Sequence, residues 1–175
     1  MATDFKEIKR WFSNNSEVPE TVKTARNAID DLNLEKIDRV SNSVYKGIMC
    51  LIALKGAKDF LRGDTLEFNV LDDHHIFPKS QIKKYYAGQK INSILNKTLI
   101  AEKTNREYIW KKTPPEYLNK IMKEQNINKL ELSKRLDSHL IPEEAFEYLL
   151  RDDFNGFLDK REDLIKEEIK KRLGL

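Results

Sequence analysis

The chain has 175 residues, of which 35% are charged and 39% apolar, with a net charge of +3, six glycines and five prolines. This composition is typical of a highly charged, helix-rich folded protein and excludes long low-complexity linkers. The longest apolar run, residues 48–54, is too short to cross a bilayer, so we predict no membrane partner. The single Cys50 lies in that run and cannot form an internal disulfide. We therefore expect a reducing compartment and a cytoplasmic protein without a cleavable signal peptide.

Helical periodicity dominates the N-terminal part of the chain, which we place at residues 1–63. Apolar residues at helical spacing predict three helices: residues 4–13, a helix that begins near Pro19, and a helix from Ser41 or Ser43 to about Phe60. The third helix is apolar on all sides, so we expect it to be buried at the centre. Gly63 and Asp64 end this part of the chain.

The central part, residues 64–112, contains the predicted strands. Its predicted elements are a strand over 65–71, a short helix over 79–86 that ends at 87–89, a second strand over 97–100 and a helix over 101–110.

Helices fill the C-terminal part, residues 113–175. They are predicted to begin at Pro115 and Pro142, with a short helix near 130–136 and a long amphipathic helix over about 154–173. No shift in composition divides the chain. We therefore predict one domain over residues 1–175 that is mainly α, with helices framing a small core of two strands and a helix.

Two of the three histidines in the chain, His74 and His75, lie side by side before an Ile-Phe-Pro sequence. Asn96 follows 21 residues after His75, and Asn105 follows nine residues after Asn96. Adjacent side chains on an extended segment point to opposite sides, so the two imidazoles cannot easily share one metal ion. We expect them to divide the work: one binds the metal, and the other faces a water molecule. The sequence leaves open which histidine has which role.

Phosphodiester hydrolysis requires these groups. A base takes a proton from the attacking water, and an imidazole suits this role because its ordinary pKa of about 6.5 lies near neutral pH. A cation stabilises the charge on the phosphate and on the leaving oxygen. One imidazole and one amide oxygen, completed by water and phosphate, suit one divalent ion, Mg²⁺ or Mn²⁺, although Zn²⁺ or Ni²⁺ could also bind the imidazole.

A structural zinc site is not expected. The chain has one cysteine and no C-x-x-C pair, and the third histidine, His139, is far from the other two. We predict that His139 is a packed, hydrogen-bonded structural residue.

A basic segment coincides with this candidate site. Residues 79–112 contain nine basic and two acidic residues, a net charge of +7, and the rest of the chain totals −4. Such an excess predicts binding to a phosphate backbone. The candidates for phosphate contacts are Lys79, Lys97, Lys103 and Arg106, and Arg106 is the best of them because a guanidinium binds phosphate bidentately. Four aromatic residues are instead expected to pack in the core: Trp11, Tyr85, Tyr86 and Trp110.

The segments 73–78 (DHHIFP), 96–100 (NKTLI) and 104–106 (TNR) resemble the HNH motif, the ββα-metal site of many nucleases. The wider sequence is similar to the C-terminal HNH region of GmrSD-type, modification-dependent (type IV) restriction and phage-defence proteins. This second resemblance also includes 56–60 (GAKDF), 74–80 (HHIFPKS), 91–98 (INSILNKT), 115–118 (PEYL) and 139–142 (HLIP). It runs from about Val44 to the C-terminus, and the central HNH portion is its most specific part.

The resemblance implies a role for each residue of the motif. His75 falls on the general base, and Asn96 belongs to the same catalytic group, where it braces the loop by hydrogen bonds to the backbone. Asn105 falls on one metal ligand, and His74 falls on the other, where the family often has Asp. A neutral imidazole attracts hard cations less strongly than a carboxylate, which leaves the preferred metal and the order of the two histidine roles open.

These features predict a metal-dependent DNA endonuclease domain, the cutting part of a restriction or phage-defence protein. One alternative is a non-catalytic nucleic-acid-binding module of the same fold, and another is a helical adaptor whose histidines are structural. The sequence has no G-x-x-x-x-G-K-[ST] loop to cradle a nucleotide. We therefore expect the partners to be DNA, bound mainly through its phosphates, and a further recognition or NTPase domain or subunit.

Overall fold

The computed structural model describes residues 2–14, 18–65 and 71–174, and the protein is mainly helical, as predicted. The described helices are α1 (Ala2–Asn14), α2 (Glu20–Asn27), α3 (Ser43–Leu54), α4 (Lys79–Ile82), α5 (Gly88–Asn92), α6 (Glu102–Thr104), α7 (Pro114–Gln125), α8 (Lys129–Asp137), α9 (Glu143–Leu150) and α10 (Phe154–Arg172). The strands are β1 (Leu71–His75) and β2 (Lys97–Ala101). Short 3-10 turns cover Leu34–Lys36 and Ile94–Asn96, and a π-helix covers Asn105–Ile109.

The chain divides into two compact units, residues 1–32 with 166–175, and residues 33–165. The larger unit contains both strands and α3 through α9, so the predicted central part and the C-terminal part as far as residue 165 belong to one unit together with the third helix. The single domain over residues 1–175, with internal limits at 63 and 112, stays a prediction.

Polar contacts between its two segments stabilise the smaller unit. The Arg26 guanidinium donates a hydrogen bond to the carbonyl of Leu173 (2.6 Å), and the Lys170 ammonium lies 2.5 Å from the Asp30 carboxylate. Phe5 and Phe12 on α1 are exposed. This unit carries none of the predicted site residues.

The two strands pair antiparallel in a two-stranded sheet, with His74 opposite Thr98 and His75 opposite Lys97. Beyond the last pair, the Ile76 amide donates to the carbonyl of Asn96 (2.9 Å), which extends the pairing by one step. The side chains of Ile94, Leu95 and Ile100, which lie just before β2 and within it, are fully buried. The sheet therefore packs in the core through β2, while His74 and His75 lie on β1.

Helix α3 is shorter than predicted. It begins at Ser43 behind an Asn42 cap, whose side chain accepts a hydrogen bond from the amide of Val44 (2.8 Å), and it ends at Leu54 instead of Phe60. Gly56 has φ +74°, in the left-handed region that glycine tolerates and that stops a right-handed helix. The apolar residues beyond this point pack in the core outside a helix.

The elements around the strands also differ from the prediction. The helix predicted over 79–86 ends at Ile82, and residues 87–89, predicted as a helix end, instead lead into α5. The helix predicted over 101–110 is a single α turn followed by the π-helix. Of the strand predicted over 65–71, residues 66–70 lie outside the described residues, and the described strand runs on to His75.

The C-terminal helices agree with the prediction within a few residues. Helix α7 begins at Pro114 with a capping box, in which Thr113 and Glu116 satisfy each other's backbone amides. Its buried side is Tyr117, Leu118 and Ile121, as the spacing predicts. No described helix combines the length and the apolar composition needed to cross a membrane.

Candidate functional site

A pocket of about 240 Å³ opens at the end of β1. Its lining comes from β1, from the start of α4 and from the π-helix. The residues that line it are His74, His75, Pro78, Lys79, Ser80, Asn105 and Trp110. The structure thus brings together His74, His75 and Asn105 with the basic Lys79, although Asn105 is distant from the histidines in sequence. Both histidines line this pocket, so their places on opposite faces of the strand do not exclude them from one site.

Asn96 makes the bracing hydrogen bonds that the family resemblance implies. It is fully buried, its amide oxygen accepts from the Phe77 amide (2.8 Å), and its amide nitrogen donates to the carbonyls of Phe77 (3.1 Å) and Ile91 (2.9 Å). These bonds tie the bend after His75 to the turn before β2. Asn96 therefore stabilises the backbone beside the pocket but does not line the pocket itself.

The ring of His75 is held by a residue that the sequence did not single out. Its Nε2 lies 3.0 Å from the amide oxygen of Asn92, at the end of α5. Because an amide oxygen only accepts, Nε2 carries the hydrogen and Nδ1 keeps its lone pair. In the sequence, the signal for this contact is limited to one polar side chain, Asn92, between Ile91 and Ser93.

Burial is the main cause of a lowered pKa at His75. Removal of the ring from water, with a further contribution from the nearby Lys97 ammonium, lowers its pKa from 6.5 to about 4. The Asn92 hydrogen bond and the Asp73 carboxylate oppose this shift but do not cancel it. At neutral pH the ring is uncharged and can accept a proton.

The position of Asn105 is set by the change from an α-helical turn to a π-helix at this residue. It is the first residue of the π-helix, and its carbonyl accepts a hydrogen bond from the Trp110 amide (2.8 Å). The preceding Thr104 is buried and donates to the Asp59 carboxylate (2.9 Å), which also accepts from the amides of Leu61 (3.0 Å) and Arg62 (3.1 Å). This fixed carboxylate anchors the turn that carries Asn105 to the loop after α3.

The four predicted phosphate-binding residues have different surroundings. Lys79 is exposed and lines the pocket, and Lys103 is exposed on the α6 turn. Lys97 is half-buried and lies 3.6 Å from the Asp73 carboxylate, which also accepts a hydrogen bond from Tyr45. Arg106 is exposed but forms an ion pair with Glu102 one turn before it. Lys79 is the one of the four that combines exposure with a place in the pocket lining.

The expectation that the aromatic residues pack in the core is wrong for two of the four. Trp110 is 58% exposed and lines the pocket, and Tyr85 is 76% exposed at the end of the α4 turn. Trp11 and Tyr86 are half-buried. In the sequence, Trp110 is followed by two lysines and then by Thr-Pro-Pro. This is a turn-like context that favours exposure.

His139 is a buried structural residue, as predicted. Its Nε2 donates to the carbonyl of Lys58 (2.6 Å), and its Nδ1 accepts from the Thr98 hydroxyl (2.8 Å). Burial lowers its pKa to about 4. The ring is therefore neutral at pH 7 with both of its nitrogens engaged.

Two residues of the pocket lining carry side chains that can bind a divalent ion, His74 through its imidazole and Asn105 through its amide oxygen. Across residues 2–14, 18–65 and 71–174, no group of three or more His, Cys, Asp or Glu side chains could hold a metal ion. One imidazole and one amide oxygen in a common open pocket instead fit a site that is completed by water and phosphate oxygens. The donor chemistry therefore fits the divalent ion that the resemblance implies.

Comparison with curated proteins identifies a relative in Methanocaldococcus jannaschii that is described as an uncharacterized protein. The two are 34% identical over 189 residues, which cover 97% of this chain and 33% of the relative. The chain thus spans about one third of the length of this relative. No family model and no solved structure matches the chain.

Proposed function

We propose that this chain is a metal-dependent DNA endonuclease domain of the HNH, ββα-metal type, which hydrolyses phosphodiester bonds with His75 as the general base. The observation that carries the proposal is the common pocket of His74, His75 and Asn105, with Lys79 at its side. Strand β1 supplies His74 and His75, and the π-helix that follows β2 supplies Asn105, which supports the order of strand, strand and helix that such a site requires.

Each side chain has a defined task in the proposed reaction. Nδ1 of His75 takes a proton from a water molecule as the water oxygen attacks phosphorus and the bond from phosphorus to the leaving oxygen breaks. The hydrogen bond from Nε2 to Asn92 orients the ring for this transfer. Lys79 neutralises phosphate charge at the rim. A divalent ion held by His74 and Asn105 would supply the positive charge that stabilises the phosphate and the leaving oxygen.

The proposed wider role rests on the resemblance of the sequence to restriction and phage-defence proteins and on the length of the relative. Because the chain spans about one third of that protein, we propose that it acts as the cutting part of a larger restriction or phage-defence assembly. Recognition of the target and any nucleotide hydrolysis are then tasks of another domain or subunit. Phosphate contacts through Lys79, Lys103 and Arg106 position DNA without reading its sequence.

The decisive experiment is incubation of supercoiled plasmid with the purified chain and Mg²⁺ or Mn²⁺. We expect slow conversion to nicked plasmid that stops when a chelator is added. A His74→Ala/His75→Ala double variant, purified in parallel, controls for contaminating nucleases. Equal nicking by the wild type and the double variant would exclude the proposal.

The same preparation distinguishes the nuclease from a binding module of the same fold. A calorimetric titration with Mn²⁺ should show binding that weakens in Asn105→Ala. Retained DNA binding with neither metal binding nor nicking would favour the non-catalytic module instead.

A further inference from the structure

Trp110 is the largest exposed side chain among the residues that line the pocket. The proposed hydrolysis gives it no task, although 58% of its surface is exposed. An indole left in water beside a functional pocket forgoes the burial that a tryptophan normally gains in a core. Its position next to the candidate base and metal ligands indicates that it contacts a ligand.

The indole is carried by a backbone that is fixed on both sides. The Trp110 amide donates to the carbonyl of Asn105, and the next residue, Lys111, has φ +59°, in the left-handed region. The carbonyl of Lys111 accepts a hydrogen bond from the Gln81 side chain of α4 (2.5 Å). The turn is thus tied to two elements of the pocket wall, which presents the ring in a defined place.

The surroundings of the ring are positively charged. The Lys111 ammonium lies 4.1 Å from the centre of the Trp110 ring, a cation–π contact, and Lys79 lines the same pocket. An aromatic ring in contact with one ammonium group, in a pocket lined by a second lysine, suits a flat ring attached to a phosphate, which is the chemistry of a nucleotide. Charge complementarity therefore favours a nucleic acid over an apolar peptide at this place.

We propose that Trp110 stacks on an unpaired nucleobase next to the scissile phosphate, and that the chain prefers DNA with a single-stranded or locally unpaired segment at the cut. This rests on the proposed function and gives its substrate class. The faces of bases inside a duplex are covered by their neighbours, so an indole can stack only on a base that has left the helix or lies in a single strand. A pocket built for paired DNA alone would need phosphate contacts without an exposed aromatic face.

Tryptophan fluorescence tests the contact without requiring cleavage. A Trp11→Phe variant leaves Trp110 as the sole tryptophan, because the chain contains two. Titration with a single-stranded oligonucleotide in the presence of a chelator should quench this fluorescence. A blunt hairpin duplex of the same length should quench it much less. Equal quenching by both, or none by either while binding occurs, would overturn the proposal.

Substitution measures what the stacking contributes. Trp110→Ala should weaken binding to the single strand roughly 5- to 150-fold, the range found for loss of one base–aromatic contact, and leave duplex binding nearly unchanged. Trp110→Phe, which keeps an aromatic face, should retain most of the affinity. Tyr85→Ala is the matched control, because Tyr85 is also an exposed aromatic residue but does not line the pocket.

The two proposals fail in different ways. If Trp110→Ala binds single strands as well as the wild type while the wild type still nicks plasmid, the stacking role is wrong and the nuclease stands. If single strands quench the Trp110 fluorescence and Trp110→Ala no longer binds them, while no metal supports cleavage, the stacking site stands. The proposal of a nuclease is then wrong.

Discussion

The larger unit contains two histidines with the same lowered pKa and opposite surroundings. The pKa of His75 and that of His139 are both lowered to about 4, and in both burial is the largest cause. His139 is fully buried and has both ring nitrogens engaged, by Thr98 and by the carbonyl of Lys58. His75 lines an open pocket and has one nitrogen held by Asn92. A lowered pKa alone therefore does not distinguish the two histidines, whereas the place of His75 in the pocket lining does.

The pocket and the buried surroundings of His139 are also connected by hydrogen bonds at β2. Arg161 of α10 is fully buried and donates to the carbonyls of Leu95 (2.6 Å), Lys97 (2.8 Å) and His139 (3.0 Å). Its first two acceptors lie on either side of Asn96, so the core holds the segment that braces the pocket.

The sharpest test of this contrast is removal of each imidazole. His75→Ala should lower the nicking rate about 10²- to 10⁴-fold, the usual cost of losing a general base, with little change in the melting temperature. His139→Gln should do the opposite, lowering the melting temperature while folded molecules keep nicking. Nicking by folded His75→Ala at the wild-type rate would give the base role to another group.

The brace between the two regions should affect stability next most strongly. Asn96→Ala leaves the Phe77 amide and the carbonyls of Phe77 and Ile91 without partners, which should lower the free energy of unfolding by about 4 kcal/mol. Urea denaturation measures this loss. Asn105→Ala is the matched control, since a pocket-lining amide should cost less than 1 kcal/mol. Equal losses in the two variants would contradict the distinction between brace and ligand.

Acid titration should show the smallest of these effects. Above pH 6.5 His139 is neutral in both states, so it adds no pH dependence. As pH falls from 6.5 to about 4, the unfolded chain binds a proton that the folded protein excludes. This proton uptake should lower the free energy of unfolding by about 3 kcal/mol in total, and the contribution is constant at lower pH.

Urea denaturation at several pH values compares the wild type with His139→Gln. The variant should lose stability less steeply between pH 6.5 and 4, and His75 supplies the part of the slope that both proteins share. Parallel slopes would show that His139 does not titrate as its burial requires.

Local sequence determined much of this protein. Apolar spacing predicted the C-terminal helices, because an amphipathic face must be buried whatever it packs against. The histidine pair before Ile-Phe-Pro marked one wall of the pocket, and the asparagine spacing marked Asn105 as another. The short strand over 97–100 was also predictable, since Thr98 and Ile100 are β-branched residues that favour a strand.

Tertiary contacts decided the rest. Asn92 became the partner of His75 only because the chain folds back through α5, and no local pattern encodes that distance. Trp110 looked like a core residue by composition, but the left-handed Lys111 and the Gln81 hydrogen bond turn the chain so that its ring faces water. The end of α3 at Leu54 depended on one backbone angle at Gly56. Periodicity reports which face of an element is buried, whereas the position of a side chain at a site depends on turns and long-range hydrogen bonds that a single sequence does not specify.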